Sequence, residues 1–559
     1  MDAVSGPTVL APIARALGEE AAAAAGAPPP AVPLAPPPAS EGGDLASPVA
    51  MVSAKRARRP PREIAEQIAR SLADRPEAEA WLGGVEVAGP GFLNLTLTPA
   101  WFAGAAREIA LLGRDHGAGF AEPAESILLE FVSANPTGPA HVGHARQAAY
   151  GDALARALTF AGHRVSREYY VNDHGRQMRT FGRSVAARYA ELLGREVTLP
   201  EDGYPGEYVL AIAETLREEV GDAFLDRAAE PDEEALAFFT DRGRELMMEA
   251  IRAELDRFRV DFDSFFSERD LHAGGQVGEG IAALERSGDA YRAEGALWFR
   301  SSDYGDEKDR VLVRTDGEGT YLAADVAYHL HKAGRGDDRL IDVLGADHHG
   351  YIARLKAVLA AGGHDPEALE VAIVQLVSLI ERGEAKRLSK RAGTLVLLAD
   401  LVNDIGVDAA RFFLVQRSHD TPLELDLDLA REQSQENPVY YVQYAHARVC
   451  SILRQVGDAE TPAEAVDPPD ELDAAERALL MRLAGWPEAV EAAVDKRAPH
   501  RIVAYLTDLA RDLHAFYHRC RVVGEEPRVE AFRLDLCRAT RSTVARGLDL
   551  LGVEAPERM

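Results

Sequence analysis

Two short clusters carry the residue types that phosphate chemistry needs. The first is His141-Val142-Gly143-His144, which follows a loop rich in Pro and Gly and opens a helical pattern. A helix start offers unpaired N–H groups and a partial positive charge, so anions settle there. Two imidazoles spaced by Val-Gly can hydrogen-bond phosphate oxygens, and Gly143 lets a nucleotide come close to the backbone. Taken alone, the four residues also suit helix caps or a surface pair. A metal would need a third ligand, and none is evident nearby in the sequence. The second cluster is Lys386-Arg387-Leu388-Ser389-Lys390-Arg391-Ala392-Gly393. Lys386 and Lys390 are two of only seven Lys in the chain, against 55 Arg, so chance drift accounts for them less readily. Cations on a Gly-containing loop can stabilise charge that develops on a transferred phosphoryl group. The loop alone would equally suit a solvated basic turn. No GxxxxGK[ST] occurs, so a P-loop is not the phosphate binder.

The elements that must position these clusters are legible in the apolar pattern. Ile127 to Val132 is a short apolar run suited to a buried parallel strand. After the loop Asn135 to Gly143 comes a helix through Ala149, Ala153, Leu154 and Leu158, closed at Gly162, and then a strand from Val165 to Val171. Strand, loop, helix and strand in that order form a βαβ unit, the building block of a doubly wound sheet. Further strands are expected at Ala296 to Phe299, Val311 to Arg314, Leu340 to Leu344 and Val371 to Leu376. Residues 205–290 show no strand alternation and read as a helical insertion. Ahead of this region, Ile64, Ile68 and Leu72 mark a helix begun near Pro61. Two strands (Val85 to Val87, Phe92 to Leu97) flank the turn Gly89-Pro90-Gly91. Residues 21–40 run from an Ala string into a Pro-rich stretch and predict a flexible or polyproline segment with no packed role. Beyond residue 430 the helical period dominates. The expected fold is α/β: a Rossmann-type parallel-sheet catalytic domain over 116–430, an N-terminal α+β domain over 1–115, and a C-terminal all-α bundle over 431–559.

Length and charge set the remaining bounds. The 559 residues carry 62 Lys plus Arg against 91 Asp plus Glu, a formal charge of -29. That total does not exclude nucleic acid, because a basic patch can sit on an acidic protein. Residues 501–559 hold ten Arg against nine acids, a local relief from the acidic whole. Three cysteines, none in a CxxC pair, exclude a disulfide scaffold and a thiolate zinc site and fit a reducing compartment. No apolar run reaches the roughly 18 residues of a membrane span, and the N-terminus lacks a secretory pattern.

Taken together, the two clusters resemble the HIGH and KMSK motifs of class I aminoacyl-tRNA synthetases. Longer strings narrow the resemblance to the arginyl-tRNA synthetase family. They are Glu130-Phe131-Val132-Ser133-Ala134-Asn135-Pro136-Thr137-Gly138-Pro139, Tyr169-Tyr170-Val171-Asn172-Asp173, Phe262 to Glu268, Gly345-Ala346-Asp347-His348-His349-Gly350-Tyr351, and Glu436 to Arg448. The likeness covers nearly all of the chain from Gly43 onward. It implies activation of L-arginine with ATP (as Mg-ATP), transfer to the 3′-terminal ribose of tRNA(Arg), and amino-acid activation that depends on tRNA. It places His141, His144 and Lys390 in catalysis. ATP would be met by His141, Gly143, His144, Gly345, Asp347, His349, Arg387, Ser389 and Lys390. Arginine would be met by Glu130, Asn135, Tyr321, Asp325 and His348, with Tyr321 and Asp325 on one helical face toward the guanidinium. Tyr440, Tyr441, Tyr444 and Arg448 would meet tRNA on the anticodon-binding domain, while the N-terminal domain would touch the tRNA elbow. Arg387 and Leu388 replace the usual Lys and Met, which puts only the role of Arg387 in question. A monomer in the cytoplasm is expected, with no membrane contact and no protein-bound metal cluster. Among alternatives, a cysteine-activating relative commonly uses zinc, against which the missing Cys cluster counts. A non-catalytic paralogue should have lost motif residues that are present here.

Overall fold

Ile127, Leu128 and Leu129 are apolar in succession because the strand they form, Ser126–Glu130, is covered on both faces. It is the middle of a five-stranded sheet in the computed structural model, which describes residues 8–38, 42–386, 396–457 and 467–559. Every pairing in this sheet is parallel. The order across it is Leu369–Val374, Arg339–Gly345, Ser126–Glu130, Arg164–Val171 and Ser264–Ser267. The chain first builds outward from Ser126–Glu130 through the helix Val142–Ala161 to Arg164–Val171, and later returns to the other side with Arg339–Gly345. The order of strands therefore reverses beside Ser126–Glu130. In open parallel sheets the crevice at the carboxyl ends of the strands flanking such a reversal is where ligands bind.

Two sequence expectations fail here. Residues 205–290 are not wholly helical: the helices Glu207–Val220 and Glu233–Arg257 are followed by Ser264–Ser267, the edge strand of the parallel sheet. Four residues are too few to show alternation. Their identity comes from pairing, Tyr169 with Phe265 and Tyr170 with Phe266, whose rings stack across the two strands. The strands Ala296–Phe299 and Arg310–Val313 do form, but with Ala290–Ala293 they make a separate antiparallel sheet outside the parallel one. Its inner face packs with the helix Tyr321–Gly334 through Leu297, Phe299, Leu312, Leu322 and Val326.

The compact unit holding these elements comprises residues 124–159 and 163–432; the second comprises 1–123, 160–162 and 433–559. In the second unit the Ala string is not a flexible lead-in. It ends the helix Ala11–Ala25, whose Ile13, Leu17 and Ala21 recur at helical spacing and are fully buried, and which Gly26 closes in a left-handed cap (φ 60°). The upstream spacing was the signal, and the run of alanines masked it. The Pro-rich residues that follow have no regular structure beyond a bridge from Ala35 to Ala46. The strand Leu45–Ser47, missed in the sequence, pairs with Phe92–Leu97, which pairs in turn with Leu82–Ala88. The remaining elements of this unit are helices, among them Pro438–Gln455, His500–Arg519 and Pro527–Leu550. Among the described residues no helix is long and apolar enough to cross a membrane.

Candidate active site

A cleft of about 940 Å³ opens at the sheet reversal. Residues lining it include Glu130, Asn135, His141, Gly143, His144, Tyr170, Tyr321, Asp325, Gly345, Asp347, His348 and Lys386. The structure thus gathers onto one cavity groups drawn from three strand ends and two helix starts.

One end is built on the start of the helix Val142–Ala161. His141 and His144 stack with centroids 3.7 Å apart and planes 19° from parallel. The His141 N–H donates to His144 Nδ1 at 3.3 Å, and the Gly143 N–H donates to His141 Nδ1 at 3.1 Å. A Cβ at Gly143 would sit 2.9 Å from His141 Cε1, so the stacked pair requires glycine there. The segment after residue 395 is tied to the same place. Val142 N–H donates to Val396 O at 3.0 Å, and Leu398 N–H to Ala140 O at 2.8 Å. On the neighbouring strand, a Cβ at Gly345 would meet Asp347 Oδ1 at 2.8 Å, so a side chain there would make the Asp347 carboxylate shift. His348 Nε2 lies 3.6 Å from Asp347 Oδ2. Arg387, Ser389 and Lys390 lie outside the described residues, as does the side chain of His349. Lys386, at the near edge, reaches the cleft and pairs with Glu381 at 3.4 Å.

The other end is set by Tyr321 and Asp325, one turn apart on the helix Tyr321–Gly334. Tyr321 is 60% exposed, its ring standing in the cleft mouth. Burial pushes the Asp325 carboxyl up to about 6; Glu130 adds to the shift, while His329, His348 and Arg354 work against it. Among the described residues Asp325 makes no ion pair. Asn135 donates to Gln177 Oε1 at 2.9 Å at the exposed rim.

Beneath the cleft lies a buried polar network that sequence reasoning did not find. Lys332 Nζ, fully buried, donates to Glu130 Oε2 and Asp342 Oδ1, both at 2.6 Å. His329 bridges Asp342 (2.9 Å) and the Asp325 carbonyl (2.8 Å). Tyr328 OH lies 2.9 Å from both Glu130 and Glu168, its single proton shared between them, and Arg335 pairs with Glu168 at 2.6 Å. Burial alone would raise Asp342, but the Lys332 charge and the His329 bond overcome it and hold the carboxyl low. The backbone is strained to serve this floor. Val132 and Ser133 adopt φ of 69° and 42°, each at a cost of about 1–3 kcal/mol, and Ser133 Oγ donates to Glu130 at 2.9 Å. Glu268 is the other residue missed. Burial pushes its carboxyl up to about 7, helped by Asp325 and Asp173 and opposed by the Tyr170 hydroxyl bond. It stands 57 positions from Asp325, so only the fold reveals the pair.

In the second unit, Tyr440, Tyr441, Tyr444 and Arg448 share the helix Pro438–Gln455. Tyr440 and Tyr444 stack at 6.2 Å, and Tyr441 leans on His514 at 4.6 Å. Arg448 lies 3.8 Å over the ring of Tyr517 and 5.2 Å over that of Tyr444. All four are half-buried, so each has a packed and an open side.

A histidine pair at a helix start beside a parallel-sheet reversal, with a segment from far along the chain tied to it, defines a class I aminoacyl-tRNA synthetase catalytic fold. The family model described as the catalytic domain of class I (R) tRNA synthetases matches residues 110–434. Models of the arginyl tRNA synthetase N-terminal domain and the DALR anticodon binding domain match 11–97 and 442–559. The chain is 46% identical over 521 residues to an arginine–tRNA ligase of Shouchella clausii, and 45% identical over 520 residues to that of Bacillus subtilis; each alignment covers 92% of both chains. The arginyl-tRNA synthetase structure of Thermus thermophilus superposes with a TM-score of 0.74 at 25% identity, covering 98% of this chain and 100% of that one. The chain belongs to the arginyl-tRNA synthetase family. The match from residue 11 extends the likeness upstream of Gly43, where the sequence strings had ended it.

Proposed function

We infer that the chain is an arginine–tRNA ligase, which activates L-arginine with ATP and transfers it to the 3′-terminal ribose of tRNA(Arg). The observation that carries this reading is the cleft itself, with imidazoles and a helix start at one end and an uncompensated carboxylate at the other. In the first step the arginine carboxylate attacks the α-phosphorus of ATP and pyrophosphate leaves. In the second, a ribose hydroxyl attacks the adenylate carbonyl and AMP leaves.

We place His141, Gly143 and His144 on the ATP phosphates, where N–H donors fixed in advance stabilise the charge added in the transition state. Gly345, Asp347 and His349 would border the nucleotide, and Lys390, with Arg387 and Ser389, the departing pyrophosphate. Mg2+ would accompany ATP. Asp325 receives the guanidinium, Tyr321 closes over it, and Asn135 and His348 border the rest of the amino acid. A planar, permanently charged group suits Asp325, which makes no ion pair of its own among the described residues. Glu130 lines the same cavity and holds the floor. Residues 11–97 would touch the tRNA elbow, and Tyr440, Tyr441, Tyr444 and Arg448 the anticodon arm by stacking. A cytoplasmic monomer remains the expected form.

The test is aminoacylation of a total tRNA pool with each amino acid in turn. Arginine alone should be charged, and charging with another amino acid at comparable kcat/KM would refute the reading. Arginine-dependent ATP–pyrophosphate exchange should need tRNA; equal exchange without it would remove the tRNA requirement.

A further inference from the structure

Outside the cleft, His174, Glu268 and His272 bring one ligand atom each to within 4.8 Å of one another. Glu268 and His272 are one turn apart on the helix Glu268–Ala273, with His272 Nε2 3.6 Å from Glu268 Oε1. His174 comes from the turn after Arg164–Val171, and its ring lies 3.9 Å from that of His272, 18° from parallel. Even were every pair at that 4.8 Å limit, a central point would lie about 2.8 Å from each atom, so a shift of at most roughly 0.7 Å per ligand gives the ~2.0–2.1 Å bonds of zinc. The neighbouring Asp173 does not compete for the ion. Its carboxylate already receives Ser267 Oγ, the Arg269 N–H and Arg244. Glu268 is buried, His272 half-buried and His174 exposed, which leaves an entry path and an open coordination position on the His174 side.

We propose that His174, Glu268 and His272 form a binding site for a borderline divalent cation of the Zn2+ class. Two imidazoles and one carboxylate are a donor set that zinc and cobalt accept and magnesium does not favour.

The experiment uses the full-length enzyme, first stripped with chelator and then titrated with Co2+ while its visible absorption is recorded. One Co2+ per chain with a spectrum of mixed nitrogen and oxygen ligation is expected, with affinity at least tenfold weaker in His174→Gln and in His272→Gln. Neither residue lines the arginine cleft, so both variants should keep wild-type charging with Mg-ATP when no Zn2+ or Co2+ is added. A wild-type titration indistinguishable from that of the double variant would overturn the site.

Discussion

Two sets of carboxylates lie in and around one cleft under opposite electrostatic conditions. Glu130, Asp342 and Glu168 are buried, and each has a cation: Lys332 for the first two, Arg335 for the third. Asp325 and Glu268 sit close by with no comparable partner; the nearest ion pair is His272 at 3.6 Å from Glu268. Burial acts on both sets alike and raises the cost of charge. Only in the first do fixed cations repay it, so Asp342 and Glu168 are held low while Asp325 and Glu268 rise to about 6 and 7. A carboxylate neutralised by the fold stiffens the floor. One left without a cation is a receptor for a ligand that carries the cation in. This contrast is why we propose Asp325 for the charge contact with the guanidinium and Glu130 for a larger share in support.

The largest effect should come from breaking the neutralised set. Lys332→Met leaves Glu130 and Asp342 buried and uncompensated, and should lower the unfolding free energy by about 3–5 kcal/mol in denaturant titration. A loss under about 1 kcal/mol would erase the distinction between the two sets. Next, His144→Ala removes a donor from the phosphate end. It should cut kcat for charging on the order of 100-fold while the arginine KM moves little; a rise in that KM alone would move His144 to the arginine end. The pH profile probes the second set directly. Free Asp325 takes up its proton as pH falls through about 6, and the neutral acid cannot pair with the guanidinium. Arginine KM should therefore be flat above pH 7 and climb toward tenfold per unit below 6, whereas a flat profile down to pH 5 would contradict the raised carboxyl. The smallest effect lies in the other unit. Arg448→Ala loses its stacking on Tyr517 and Tyr444 and should raise the KM for tRNA several-fold, with pyrophosphate exchange at saturating tRNA unchanged.

Local pattern made part of this visible in the sequence. The strand Ser126–Glu130, the helix with its histidines at the start, and the strand Arg164–Val171 follow from an apolar run, a helical period and a glycine stop within one short stretch. What escaped was either too short or too far apart. Ser264–Ser267 is a strand only because Tyr169 and Tyr170 lie beside it. The Lys332–Glu130 bond spans 202 positions, although Lys332 belonged to the same rare residue type that drew notice to Lys386 and Lys390. Tyr321 and Asp325 were placed by family likeness, since a Tyr and an Asp one turn apart carry no signal of their own. Their setting, an exposed tyrosine one turn from a half-buried carboxyl without an ion pair, belongs to the fold.

Arginine binding by Asp325→Ala, set against ATP binding by the same variant, tests that contrast most directly. Truncating one partner of a desolvated charge pair costs about 2–5 kcal/mol, so the arginine affinity should fall at least 30-fold while the ATP affinity stays within about twofold. An arginine affinity equal to that of the wild type would contradict the assignment of the uncompensated carboxylate to the guanidinium.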